Sequence, residues 1–461
     1  MNEQIQKQIL GPSFDAIDNI SNPGNEWVLK VNQNELGIGA ISDQCLTINC
    51  NANSESQVLY SQPEFEISTR NLDFIMKKFA LRLINQPDEG QMQCVFQPHE
   101  IYTSDFIETS HYWRLLIPIS SDPSLDRYME TTFLQADILD GTSRRNVNVQ
   151  LDEKDGFQMY SIKKSDQWWL GLDVKERTDL NSFWDAVYSI LLGFSTLSGK
   201  LLLEEGFFIA STNSEFTLVN GIMWRQLPDS KNTRYATIST NTYEFFPNGP
   251  FDKPILDPVS KNVFNELCTR YSKHLYMRYA INLVLAGNLS DAIAMPVAYS
   301  VALETLKEGL SAEQAKYNLK PLKEEPTWEK IRNEMIAIIQ NAPLEEEQVN
   351  LFTKKIDNMN NPTNRDSLTK PFTISEFNLS SGDEKLIGRR NDFLHGRLSS
   401  SDVTAELQGL NRFQESMRLH FLVNALILRV AGYEGYVIDW SAVISKPRVW
   451  ENVYVRIHGK T

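Results

Sequence analysis

The sequence predicts an α+β multidomain chain, with a β-rich N-terminal region followed by a helical one. Three observations predict it. Short apolar runs between turn-forming residues fill the N-terminal part. The densest cluster of proline and glycine in the chain is Phe246-Pro247-Asn248-Gly249-Pro250-Phe251 with Lys253-Pro254. Beyond that cluster, apolar residues recur at helical spacing. The expected organisation is a β-rich region at residues 1–245 carrying one helix, a helical domain at 255–435 and a short tail at 436–461.

The expected strands come in order at residues 27–31, 40–41, 57–60, 93–96, 112–117, 147–151 and 168–172. Turn-rich segments such as Gln86-Pro87-Asp88-Glu89-Gly90 and Ser121-Asp122-Pro123-Ser124 separate them. One helix interrupts the pattern at 182–198. Phe183, Ala186, Ile190, Leu191 and Phe194 share its apolar face, and Gly199 ends it. Strand-like runs at 201–203 and 206–209 follow. In the helical domain one long helix is expected at 291–310, with Pro296 in its first turns, where proline is tolerated. A second is expected at 403–431, capped by Ser401 or Asp402 and stopped at Gly432. Its run at 421–428 is apolar on more than one face, which fits either the centre of a bundle or an interface between two copies. The tail has strand character at 453–455.

Composition narrows the function. The chain has 461 residues, with 41% hydrophobic and 23% charged, as in ordinary globular proteins. No apolar run reaches the length that spans a bilayer, and the first residues lack a signal-peptide core. Both point to the cytoplasm. A net charge of −14 argues against a protein that coats nucleic acid indiscriminately. The four cysteines, Cys45, Cys50, Cys94 and Cys268, have neither paired nor zinc-finger spacing. No metal site and no cofactor are expected. Phosphate-binding glycine loops and the nucleophile elbow of α/β-hydrolases are absent from the sequence.

The most informative segment is Arg389-Arg390-Asn391-Asp392-Phe393-Leu394-His395-Gly396-Arg397. Arginine carries a permanent cationic fork suited to phosphate. Histidine titrates nearest neutrality and can take or give a proton. On a helix, five residues turn about 140° round the axis, so two long side chains can reach one groove. Such spacing is common by chance, and its context carries the weight. On the helix at 291–310, Glu304 shares a face with Val297 and Val301. A carboxylate in an apolar stripe is costly unless paired, and Arg390 is its natural partner. His99, His111, His274 and His420 read as structural or surface residues. Trp168, Trp169 and Trp184 read as core, though each could stack on a base.

The Arg390-Asn391-x-x-x-His395-Gly396 segment, preceded by the Ala302-Leu303-Glu304 helix, resembles the HEPN superfamily, closest to its ApeA-like branch. The resemblance covers residues 255–435. It implies an all-α bundle that dimerises, and a metal-independent endoribonuclease of the kind found in bacterial toxin and anti-phage systems. It implies that His395 is the general base or acid and that Arg390 neutralises charge on the phosphate. Asn391 would bind the phosphate or orient the histidine, and Glu304 would hold Arg390. Arg389 and Arg397 would bind substrate. The implied partners are RNA, a second copy completing a composite site, and an activating ligand, possible at the N-terminal region. One departure is the long segment between Glu304 and the motif, including the charged stretch at 344–359, which would be a specificity or regulatory element. The rival expectation is a catalytically inactive HEPN-like module for dimerisation or nucleotide binding.

Overall fold

The computed structural model describes residues 6–21, 27–31, 34–42, 45–51, 64–68, 73–86, 91–136, 144–151, 155–228, 230–246, 256–313, 317, 319–394, 412–445 and 449–457. The chain is an α+β multidomain protein, β-rich first and helical after. Its contacts divide it into two units. The first comprises Met1–Ser195, Leu201–Asn232 and Pro258–Ser272. The second comprises Thr196–Lys200, Thr233–Asp257 and Lys273–Thr461. Residues 233–257 and 436–461 therefore group with the helices. Within that unit, Ile438 N–H donates to Thr237 O at 2.9 Å, and Trp440 Nε1 donates to Ala236 O at 2.7 Å.

The first unit is built on one sheet. Its strands are β1 (Gln6–Gln8), β2 (Trp27–Val31), β3 (Asn34–Ser42), β4 (Cys45–Asn51), β5 (Glu64–Ser68), β6 (Asp73–Gln86) and β7 (Gln91–Thr103). There follow β8 (Tyr112–Ile119), β9 (Thr132–Ala136), β10 (Arg144–Leu151), β11 (Asp155–Lys164), β12 (Gln167–Val174), β13 (Glu205–Ser211) and β14 (Val219–Gln226). Their order is β1-β9-β10-β11-β12-β8-β13-β14-β7-β4-β3-β2-β5-β6. β6 also pairs with β7, so the strands β7-β4-β3-β2-β5-β6 close into a circuit. Closure leaves these strands no free edge along the paired stretch. The expected strand at 57–60 lies outside the described residues.

Helix α1 (Gly11–Ser21), which sequence patterning did not suggest, covers one face of the sheet. Leu10, Phe14 and Ile17 join a buried cluster with Leu116, Trp169, Phe207 and Ile209. Helix α2 (Leu180–Ser198) lies against the opposite face: Phe183 stacks on Trp113 and meets Phe208 edge-on. Two-sided coverage explains why β8 and β12 read as continuous apolar runs instead of alternating ones. Helix α3 (Lys261–Lys273) buries Phe264, Leu267 and Cys268.

One charge sits at the heart of this core. Arg114 on β8 is fully buried and stands opposite Asp173 on β12. Its Nε and Nη2 donate to the two carboxylate oxygens of Asp173, each at 2.8 Å. Nη1 donates to Ile9 O at 2.7 Å and Ser13 Oγ at 2.8 Å, and Tyr160 Oη donates to Asp173 at 2.9 Å. A buried pair of this kind is tolerable only because its remaining donors and lone pairs are met.

The second unit contains α4 (Leu275–Leu289), α5 (Met295–Glu313), α6 (Glu325–Gln340), α7 (Glu346–Asp357), α8 (Asn364–Ile374), α9 (Ser381–Gly388), α10 (Arg390–Leu394) and α11 (Arg412–Val430). The tail adds β15 (Tyr436–Ile438), α12 (Trp440–Ile444), α13 (Trp450–Val453) and β16 (Tyr454–Arg456), with β15 and β16 antiparallel. Pro296 falls in the first turn of α5, as expected. Helix α11 is buried on every side from Leu419 to Arg429. Its excess apolar surface therefore belongs to the bundle centre of a single chain. The expected start of this helix, with Ser401 or Asp402 as cap, lies outside the described residues. The charged stretch at 344–359 folds as α7, with a capping box at Glu345 and an Arg332–Asp357 ion pair to α6 at 2.6 Å. Among the described residues, no helix is long and apolar enough to cross a membrane.

Candidate active site

The site is assembled where α9, α10, α5 and α11 meet. Ser380 caps α9, accepting from Asp383 N–H while the Asp383 carboxylate accepts from Ser380 N–H. This fixes where the helix begins. The helix ends at Arg389, and the chain turns there into the short helix α10. Phe393 is buried and anchors that turn. Residues 389 and 390 are thereby held side by side at the break, with their side chains directed to different helices.

Arg390 Nη2 ion-pairs with Glu304 Oε1 on α5, and both side chains are about one quarter exposed. Glu304 lies with Val297 and Val301 on the half-exposed side of α5, while Tyr299, Leu303 and Leu306 face the core, so its charge is paired at a partly solvated position. Arg390 Nε is buried and has no hydrogen-bond partner among the described residues. Glu304 holds Nη2, and the Nε beside it lacks an acceptor among those residues. A buried N–H without an acceptor is costly, and an anion would relieve that cost. Arg389 Nη1 pairs instead with Glu415 Oε1 on α11. Arg389, expected to bind substrate, is engaged in this ion pair.

A further network lies next to these pairs. Arg418 on α11 donates from Nε and Nη2 to the two oxygens of Asp383, at 2.7 and 2.9 Å, and from Nη1 to Asp439. Burial pushes the Asp383 carboxyl up, but the hydrogen bonds and charge of Arg418 outweigh it and hold it below the usual range. The same two acids raise Arg418 against its own burial. Arg418 thus clamps the start of α9, the middle of α11 and the Asp439 cap of α12. Sequence reasoning missed it. Only the Ser380–Asp383 capping box was readable, since an ion pair across 35 positions leaves no local pattern.

His395 and Arg397 lie outside the described residues. The Asn391 backbone belongs to α10, and its side chain also lies outside the description. His420 is no part of a groove. It is 1% exposed, and burial lowers its pKa to about 3. Its Nε2 accepts from Asn424 Nδ2 at 3.1 Å, and its ring packs near Tyr299. It is a neutral core histidine. His274 precedes α4 and lies 3.5 Å from Glu313. His99 pairs with Gln226 at 2.6 Å, and His111 with Thr109 O at 3.0 Å. Trp169 packs in the core against Phe14 and Phe207, and Trp184 against Tyr188 and Phe208. Among the described residues, no group of three or more His, Cys, Asp or Glu could hold a metal ion. Burial raises the Cys268 thiol well above its usual pKa, which makes it inert.

Comparison with protein-family models, curated proteins and solved structures returns no match.

Proposed function

We propose that the chain is a metal-independent endoribonuclease whose site is formed by Arg390, His395, Asn391 and Glu304. The observation that carries this reading is the Arg390–Glu304 pair, which fixes an arginine five residues before a histidine and leaves its Nε unpartnered among the described residues. In the proposed reaction the ribose 2′-oxygen attacks the adjacent phosphorus and the bond to the 5′-oxygen breaks. The 2′-hydroxyl loses a proton and the departing 5′-oxygen gains one. His395 serves as general base or acid in one of these transfers. Arg390 stabilises charge on the non-bridging phosphate oxygens, and Asn391 binds the phosphate or orients His395.

The nucleophile belongs to the substrate, so cleavage should proceed in EDTA. The products should carry 2′,3′-cyclic phosphate and 5′-hydroxyl ends, identifiable by mass spectrometry. His395→Ala should abolish cleavage without lowering thermal stability. Products with 5′-phosphate ends that appear only with added metal would sink the mechanism. An intact fold with no cleavage by wild type on any RNA tried would favour an inactive module.

The biological setting, cytoplasmic defence of a bacterium against phage, rests on the family resemblance alone. So do an activating ligand at the N-terminal region and a homodimer. The apolar run of α11 gives the dimer no support, since it is buried within one chain. The composite-site arrangement is tested by light scattering of the active enzyme, which should give twice the chain mass. A strict monomer with full activity would remove it.

A further inference from the structure

Three arginines pair with acids where α9 and α10 meet α11, and a fourth, Arg412, opens α11. The pairs are Arg389 with Glu415, Arg390 with Glu304, and Arg418 with Asp383 and Asp439. The fourth, Arg412, has no ion pair among the described residues. Its Nε and Nη2 are both buried without a hydrogen-bond partner among the described residues. An acid that feels its charge is the exposed Asp291, which makes no ion pair with it among the described residues. Its Oδ1 accepts the N–H groups of Ile293 and Ala294, at 2.8 and 2.9 Å. These two bonds lower its pKa before the charge of Arg412 contributes.

The placement of Arg412 is informative. It lies three residues before Glu415, so the two are neighbours on one side of α11. Glu415 holds Arg389, which adjoins Arg390 in the chain. A cationic fork with unmet donors thus stands one helical turn from the pair that abuts the proposed catalytic arginine. Planar guanidinium donors match phosphate oxygens two at a time. We propose that Arg412 is a second phosphate-binding residue, taking a phosphate of the same RNA strand beside the one cleaved. This rests on the ribonuclease reading. Its role is to position the strand, and it does not touch the reacting atoms.

The test uses the full chain and a fluorescent oligoribonucleotide methylated at every 2′-oxygen, which cannot supply the attacking hydroxyl. Binding is followed by anisotropy across a salt titration. Arg412→Ala should weaken binding several-fold at low salt and flatten the log–log salt slope by about 0.7, the loss of one phosphate contact on a single strand. Arg412→Lys should keep the slope while losing part of the affinity. With cleavable RNA, Arg412→Ala should raise KM and leave kcat nearly unchanged, whereas Arg390→Ala lowers kcat. Unchanged affinity and slope in folded Arg412→Ala would overturn the proposal and leave the ribonuclease reading standing. If Arg412→Ala does not fold, Arg412→Lys with wild-type affinity and KM overturns it instead. Wild type that neither binds the probe nor cleaves RNA would overturn both.

Discussion

Replacing Arg390 with alanine is expected to lower kcat for RNA cleavage by about 10²–10³-fold, the usual cost of removing one preorganised donor from a developing oxyanion. KM should change less, since the interaction strengthens as charge builds in the transition state. The stability loss should be small, because Arg390 and Glu304 are both about one quarter exposed and water can reach the orphaned carboxylate. Glu304→Gln separates holding from charge. An amide can still accept from Arg390 Nη2, so most activity should survive, whereas Glu304→Ala should cost nearly as much as losing the arginine. The measurements are single-turnover rates on a defined oligonucleotide, with melting curves alongside. Wild-type rates for Arg390→Ala, with the fold intact, would end the proposed mechanism.

The largest effect on stability is expected from Asp173→Ala in the first unit. It would leave the Arg114 guanidinium fully buried without its carboxylate, keeping the hydrogen bonds to Ile9 O and Ser13 Oγ. Breaking a buried pair by removing one partner costs about 3–5 kcal/mol, a large part of a domain's total stability. Urea titration followed by tryptophan fluorescence should show an early transition, given the proximity of Trp113 and Trp169 on the same strands. Replacing both partners together, Arg114→Met with Asp173→Leu, should restore most of the loss, because no unpaired charge remains. If the single variant melts like wild type, solvent reaches this pair and the core is not closed here.

Several elements were legible because their physics is local. The runs at 112–117 and 206–209 announce strands since both faces of the sheet are covered, by α1 and α2. The helix at 182–198 shows its spacing in its first half, where exposed Ser182 and Asp185 flank buried Phe183 and Val187, whereas Ser189 to Ser198 are buried on every side. The pairing of Glu304 with Arg390 followed from a carboxylate sharing a face with Val297 and Val301, a side of α5 that is half-exposed. Other elements had no local signature. Helix α1 opens with Gly11-Pro12, which reads as a turn, and its apolar residues are sparse. Strand β6 carries Lys77, Lys78 and Arg82, which interrupt its alternation. Arg418 and Arg412 were missed because their meaning depends on what lies opposite. One is met by acids distant in sequence, and the other has no ion pair among the described residues.

The closed strand circuit also has a consequence for the order of assembly. β6 and β7 are neighbours in sequence and stay in register from Phe74↔Thr103 to Gln86↔Gln91. Their pairing needs only a short loop to close, and short closures are fast. β1 is different. Its partner is β9, in the register Gln6↔Leu134, so most of the first unit must be made before the two can meet. Protein synthesis at about 5–20 residues per second stretches that wait to seconds, while a hairpin forms in microseconds. The circuit can nucleate on β6 and β7 while β1 is still unpaired. Among the described strands, the first to be synthesised waits longest for its neighbour.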